Sequence, residues 1–174
     1  EPYGLAICGV FQKWENSNWA ALRNWLPNRG EHVHLAVDSY GPSLPWFARQ
    51  KPNVIKINRQ ELEMLFDEDV KASATDVLMK RVADNYNCPL WIVTDGEAKI
   101  WILKSGSYPQ ATQPPLVECT SPIGCGDVFF ATLLDQQYNQ PENSLEFAIE
   151  LAAKYASKNA VSSEIAAFNL EHTN

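Results

Sequence analysis

Several large classes of protein are excluded by what this sequence lacks. Among its 174 residues no apolar run approaches the ~20 needed for a membrane-spanning helix. The opening segment has no basic stretch ahead of an apolar one, so it does not read as a secretory leader. Lys and Arg number only 14 against 21 Asp and Glu, giving a formal net charge of -7. Nucleic-acid binding needs basic residues clustered against phosphates, and here they are dispersed, so neither nucleic acid nor membrane is an expected partner. The four cysteines, Cys8, Cys88, Cys119 and Cys125, contain no C-x-x-C pair. They read as reduced, mostly buried thiols of a cytoplasmic protein. The three histidines, His32, His34 and His172, have no metal-binding spacing, so a zinc site is not expected. Lys104-Ser105-Gly106 is not a P-loop, because the preceding glycine pattern is missing. There is no internal repeat, low-complexity run or linker.

What is present describes a folded domain. Hydrophobic residues make up 45% and charged residues 20%, and residues 1–174 are expected to form one α/β domain. The first residue is Glu1, not Met, which is compatible with a start inside a longer product. Apolar runs alternate with amphipathic stretches. Strands are expected at Gly4–Val10 (buried), His32–Val37, Asn53–Ile57, Leu90–Val93 and Lys99–Leu103. A further strand is expected before Cys119, and Asp38-Ser39-Tyr40-Gly41-Pro42 reads as a turn. Helices are expected at Ser17–Leu26, Leu44–Arg49, Arg59–Phe66 and Lys71–Tyr86. Further helices are expected from about Gly126 to Tyr138, Asn143 to Lys158 and Ser162 to Phe168. Strands separated by such helices imply crossover connections and an open, mostly parallel sheet with helices on both faces. The pair at 90–103 adds an antiparallel edge. In such sheets ligands bind beyond the carboxyl ends of the strands, where Asp38, Asn58, Thr94 and the 121–127 segment fall.

Ser121-Pro122-Ile123-Gly124-Cys125-Gly126-Asp127 carries the most information. Two glycines so close together argue against a plain helix start at Ser-Pro, since each costs about 1 kcal/mol inside a helix. The segment reads as a glycine loop leading into a helix whose buried stripe is Phe129, Phe130, Leu133 and Leu134. Amides at a helix N-terminus, where the dipole places about half a positive charge, suit a phosphate. Asp127 stands where it can take a proton from a hydroxyl, although an acid in a first turn is also ordinary dipole complementation. Asn58-Arg59-Gln60-Glu61 brings an amide and a carboxylate to one helix face, fit for a hydrated Mg²⁺ and equally for a capping box. Thr94-Asp95-Gly96 can contact a nucleotide phosphate or simply turn the chain. Asp38-Ser39-Tyr40-Gly41 is either a turn or a substrate contact. The tryptophans form no evident base-stacking platform and read as packing residues.

Taken in order, these segments resemble the C-terminal half of a ribokinase-like, PfkB-type carbohydrate kinase. Asn58 to Glu61 matches that family's Asn-x-x-Glu motif, and Gly124-Cys125-Gly126-Asp127 its Gly-Ala-Gly-Asp signature. Val93-Thr94-Asp95-Gly96 resembles its nucleotide-phosphate strand, and Val37-Asp38-Ser39-Tyr40-Gly41 its Leu-Asp-x-Ser-Gly segment. Ser121 and Ile123 give the look of the 1-phosphofructokinase and tagatose-6-phosphate kinase branch. The resemblance implies ATP-dependent phosphoryl transfer to a sugar or phosphosugar hydroxyl. Asp127 would be the catalytic base, and Gly124, Cys125 and Gly126 the anion hole. Asn58 and Glu61 would organise phosphates and Mg²⁺, with Glu61 nearest the metal, while Thr94 and Gly96 would touch ATP. Three departures accompany it. Cys125 replaces the usual Ala, and Cys8-Gly9-Val10-Phe11-Gln12-Lys13-Trp14 replaces the family's Gly-Ser-Leu-Pro-Pro-Gly. The family's N-terminal half and lid are also absent, which makes the expected fold an incomplete ribokinase-like one. A companion N-terminal segment or a homo-oligomer could cover the sheet edge this leaves. The alternative to catalysis is a truncated kinase-like module that binds nucleotide or a partner protein without phosphotransfer.

Overall fold

Val54-Ile55-Lys56-Ile57-Asn58 is nearly continuous in apolar character, as strands covered on both faces are. It forms β3 (Val54–Asn58) near the middle of a six-stranded sheet. The computed structural model describes residues 3–162. The other strands are β1 (Tyr3–Val10), β2 (Val33–Tyr40), β4 (Leu90–Asp95), β5 (Lys99–Lys104) and β6 (Gln110–Thr112), and the spatial order follows the sequence. β1 to β4 are parallel, while β5 and β6 run antiparallel. The mostly parallel α/β sheet with an antiparallel edge is therefore as expected.

The chain divides into two compact units, Glu1–Thr112 and Gln113–Asn174. Among the described residues the first holds the sheet, three short 3-10 turns and five α-helices: α1 (Ala20–Trp25), α2 (Leu44–Ala48), α3 (Arg59–Glu63), α4 (Glu68–Lys71) and α5 (Thr75–Asn85). One core joins sheet and helices: Leu35, Val37, Ile55, Ile57, Trp91 and Val93 meet Leu44, Phe47, Leu62, Leu78, Met79 and Val82, all fully buried. Alternate residues on the strands (Ala36, Val54, Ile92) are buried as well.

Three expectations change. β1 is a strand but not a buried one, since only Ile7 is covered; it is the outermost strand, bonded to β2 alone among the described strands. The expected helix 71–86 is broken between α4 and α5, because the Lys71 and Ser73 carbonyls accept from Arg59 Nη2 at 3.2 and 2.8 Å. Asp38-Ser39-Tyr40 is not a turn, because pairing with Cys8, Gly9 and Val10 extends β2 through Tyr40. Of the four thiols, all unbridged, only Cys88 is buried, donating to the Leu90 carbonyl at 3.2 Å. Burial pushes its thiol up to about 12.

The second unit begins with an extended segment and contains α6 (Cys125–Asn139) and α7 (Leu145–Val161). Ser144 caps α7 by accepting from Phe147 N–H at 3.2 Å. The Ala160 carbonyl accepts from Thr120 and Ser121 N–H at 2.7 and 2.9 Å, so the end of α7 lies beside the start of α6 and the two form an antiparallel hairpin. Along α6, Val128, Phe129, Phe130 and Leu133 are buried and Leu134 is half-buried. The helix expected at Ser162–Phe168 lies outside the described residues, apart from Ser162. Among the described residues no helix is long and apolar enough to cross a membrane.

Candidate functional site

In the first unit the polar side chains gather at the carboxyl ends of β2, β3 and β4. Asn58 ends β3 in an extended conformation and caps α3, accepting from Glu61 N–H at 2.9 Å through Oδ1. Glu61 Oε2 accepts from Asn58 N–H at 2.7 Å, which completes a capping box. Asn58 is the register partner of Thr94 on β4, which sets the amide and the hydroxyl on adjacent strands. Gly96 follows in the β4–β5 turn with φ of 53°, and Ala98 N–H donates to Asp95 O at 3.0 Å to close that turn. Only glycine adopts such a backbone freely.

On the β2 side of Asn58 and Glu61 lies a buried ion pair. Lys56 Nζ donates to Asp38 Oδ2 at 2.8 Å, with side chains only 6% and 12% exposed. Loss of hydration raises the Glu61 carboxyl above the usual glutamate range. The Asn58 N–H lowers it, Asp38 adds to the rise and Lys56 offsets part of it. A carboxylate held against its own hydration gains from a nearby cation. Among the described residues no three His, Cys, Asp or Glu side chains converge on a point. One carboxylate with a neighbouring amide suits Mg²⁺, which keeps most of its water and shares substrate phosphates. The hard oxygen donors at Asn58 and Glu61 fit that ion.

In the second unit Gly124 takes the left-handed conformation, φ 78° and ψ −6°, at the N-cap of α6. A side chain there would be strained, which explains the glycine. Cys125 N–H donates to Pro122 O at 3.3 Å and Val128 N–H to Gly124 O at 2.9 Å. The amides of Gly126 and Asp127 fall in the first turn, where an α-helix leaves donors without intrahelical acceptors. Asp127 is exposed and forms no ion pair with the described residues. The structure thus groups Asn58, Glu61, Thr94 and Gly96 in one unit and Gly124 to Asp127 in the other.

Sequence reasoning missed two residues. Lys56 is a cation inside the apolar run Val54–Ile57, a placement that itself signals a buried partner. Asn159 is 2% exposed on α7, where its Nδ2 donates to Ile123 O at 2.8 Å and to Cys125 Sγ at 3.4 Å. Its position four residues after the buried Tyr155 could have revealed it. A cavity of about 610 Å³ lies elsewhere, lined by Lys80, Tyr86, Trp91, Ser105 and Tyr108 among others. It opens near the amino end of β4 and includes none of the four first-unit residues above.

The pattern that defines the pfkB family of carbohydrate kinases matches residues 5–171. No curated protein matches the chain. Many solved structures share its fold, and three of them illustrate it. Phosphofructokinase-2 from Escherichia coli superposes with a TM-score of 0.74 at 18% identity, over 91% of this chain and 51% of that one. Fructokinase from Vibrio cholerae O395, a double mutant, gives 0.67 at 17% identity, over 94% and 56%. Ribokinase from Thermotoga maritima gives 0.69 at 12% identity, over 91% and 51%. This chain spans about half the length of those proteins.

Proposed function

The chain belongs to the pfkB family of carbohydrate kinases, and from that premise we propose that residues 1–174 are the nucleotide-binding and catalytic half of an ATP-dependent sugar or phosphosugar kinase. The observation that carries this reading is an exposed acid without an ion pair, three residues beyond a left-handed glycine at a helix start. In this reading Asp127 accepts the proton of the acceptor hydroxyl. The amides of Gly124 and Gly126, together with that of Cys125 once it is shared with or released from Pro122 O (3.3 Å), donate to the oxygens of the transferring phosphoryl group. Thr94 and Gly96 contact the phosphates of ATP. Asn58 and Glu61 hold Mg²⁺ through water, and the ion when bound neutralises phosphate charge. Phosphoryl transfer depends on positioning and charge stabilisation more than on covalent chemistry, so amides and one base suffice. Ser121 and Ile123 favour a phosphosugar acceptor by their resemblance to the 1-phosphofructokinase branch. The four unbridged thiols suit a cytoplasmic setting.

The test is Asp127→Asn in the complete protein, assayed for ADP release over a panel of sugars and phosphosugars. Loss of sugar-dependent turnover is expected, and unchanged turnover removes Asp127 from the reaction.

A second reading, binding of nucleotide or a partner protein without transfer, draws on the segment after β1. There Phe11 and Trp14 pack with each other and with Trp19, Trp46 and Phe47 at centroid distances of 4.8 to 6.3 Å. Aromatic rings fill the segment in which the resemblance places the family's Gly-Ser-Leu-Pro-Pro-Gly. Calorimetry with Mg-ATP separates the two readings: binding with no sugar-dependent turnover supports the module, and turnover excludes it.

A further inference from the structure

The glycine loop has turn bonds of its own, Cys125 N–H to Pro122 O and Ile123 N–H to Ser121 Oγ, both at 3.3 Å, and the last turn of α7 adds outside anchors to it. The Ala160 carbonyl takes the amides of Thr120 and Ser121, which anchors the chain as it enters the loop. One residue earlier, the buried Asn159 side chain reaches the apex, donating to Ile123 O at 2.8 Å and to Cys125 Sγ at 3.4 Å. The two acceptors flank Gly124, the residue with φ of 78°.

The geometry of one peptide unit gives these contacts a consequence. The Ile123–Gly124 peptide is trans and planar, so its carbonyl and its N–H point in opposite directions. Fixing the Ile123 carbonyl on Asn159 therefore fixes the direction of the Gly124 N–H. Glycine has no Cβ to restrict its own rotation, so without that bond this peptide plane can flip within the turn that Cys125 N–H and Pro122 O close. We propose that Asn159 is a positioning residue that aims the Gly124 amide, and with it the turn leading into α6, at the phosphoryl group. The inference rests on the kinase reading of the loop and adds to it a residue 35 positions downstream of Gly124.

A misaimed amide weakens stabilisation of developing charge more than it weakens ground-state binding. In the complete protein Asn159→Ala should lose about 10- to 100-fold in kcat, with KM for ATP within about threefold, since loss of one such donor typically reduces kcat 10²- to 10³-fold. Amide hydrogen exchange at Gly124 should rise in the same variant, because its peptide plane is released. Ser144→Ala, which removes the cap at the other end of α7, controls for loss of helix stability. It should leave kcat within about twofold well below its melting temperature. Should Asn159→Ala fail to fold, Asn159→Ser, smaller and still polar, carries the same expected loss. A kcat within twofold of wild type for the folded Asn159 variant, while Asp127→Asn has lost turnover, overturns the positioning role and leaves the kinase reading standing. If Asp127→Asn keeps full turnover, the kinase reading falls instead. Exchange then decides: unchanged protection at Gly124 in Asn159→Ala overturns the role, and accelerated exchange supports it.

Discussion

The Asn58–Glu61 corner and the Gly124–Asp127 loop carry the same kinds of group, yet the two regions use them differently. At the first, backbone and side chain answer each other: the amide oxygen and one carboxylate oxygen are both spent on the α3 cap, and Lys56 and Asp38 are paired out of water nearby. At the second, the acid faces solvent while a neighbouring helix holds the loop in a left-handed turn. A corner of the first kind supports structure and charge balance. A loop of the second kind leaves its reactive group open, as a proton acceptor requires. Mutation should therefore separate the regions, with stability and turnover falling together at the corner and turnover alone falling at the loop.

The largest expected contrast comes from Asp127→Asn, which should lower kcat by about 10²- to 10⁴-fold, the usual contribution of a positioned base. Its melting temperature should stay within a degree or two of wild type, because an exposed acid without an ion pair contributes little to folding. A matching fall in melting temperature would mean that the loop, too, is structural. Next, Lys56→Met should destabilise the protein by about 3–5 kcal/mol in urea denaturation, since it strips a buried carboxylate of its cation. A loss below ~1 kcal/mol would make the corner as open as the loop. Asn58→Ala removes the cap and should lose about 1 kcal/mol.

Glu61→Gln sharpens the comparison through pH. Gln can keep the capping box but carries no charge to desolvate. Because the folded-state value of Glu61 is raised, the native protein binds more protons than the unfolded one as pH climbs through and just above the usual glutamate range. Wild-type stability from this group is therefore greater at low pH and declines across that window. The variant should escape the decline, gaining on wild type from acid to neutral pH in thermal melts. A constant difference across pH would show that burial does not govern this carboxyl. The smallest effect is chemical: Cys8 and Cys119, both exposed, should alkylate in minutes at neutral pH, while the buried Cys88 stays unmodified until unfolding.

Much of this architecture was legible from residue patterns. The run Val54–Ile57 announces a central strand, and Asn58-Arg59-Gln60-Glu61 announces the cap that forms, because both rest on local physics. The β4–β5 hairpin was equally plain from Asp95-Gly96. Errors arose where a distant partner decides. Tyr3–Val10 is as apolar as a core strand, and only its outermost place in the sheet leaves it exposed. Nothing within 71–86 requires a break until Arg59 takes two of its carbonyls. Lys56 and Asn159 were missed for the same reason, since each gains its meaning from a residue 18 or 36 positions away.

The distribution of indoles has a practical consequence. All six tryptophans (14, 19, 25, 46, 91 and 101) lie in Glu1–Thr112, and Gln113–Asn174 has none. Intrinsic emission excited at long wavelength therefore reports the sheet-bearing unit alone, and the region that carries Asp127 is spectroscopically dark. A tryptophan introduced at the half-buried Leu134 of α6 would give that unit a voice of its own.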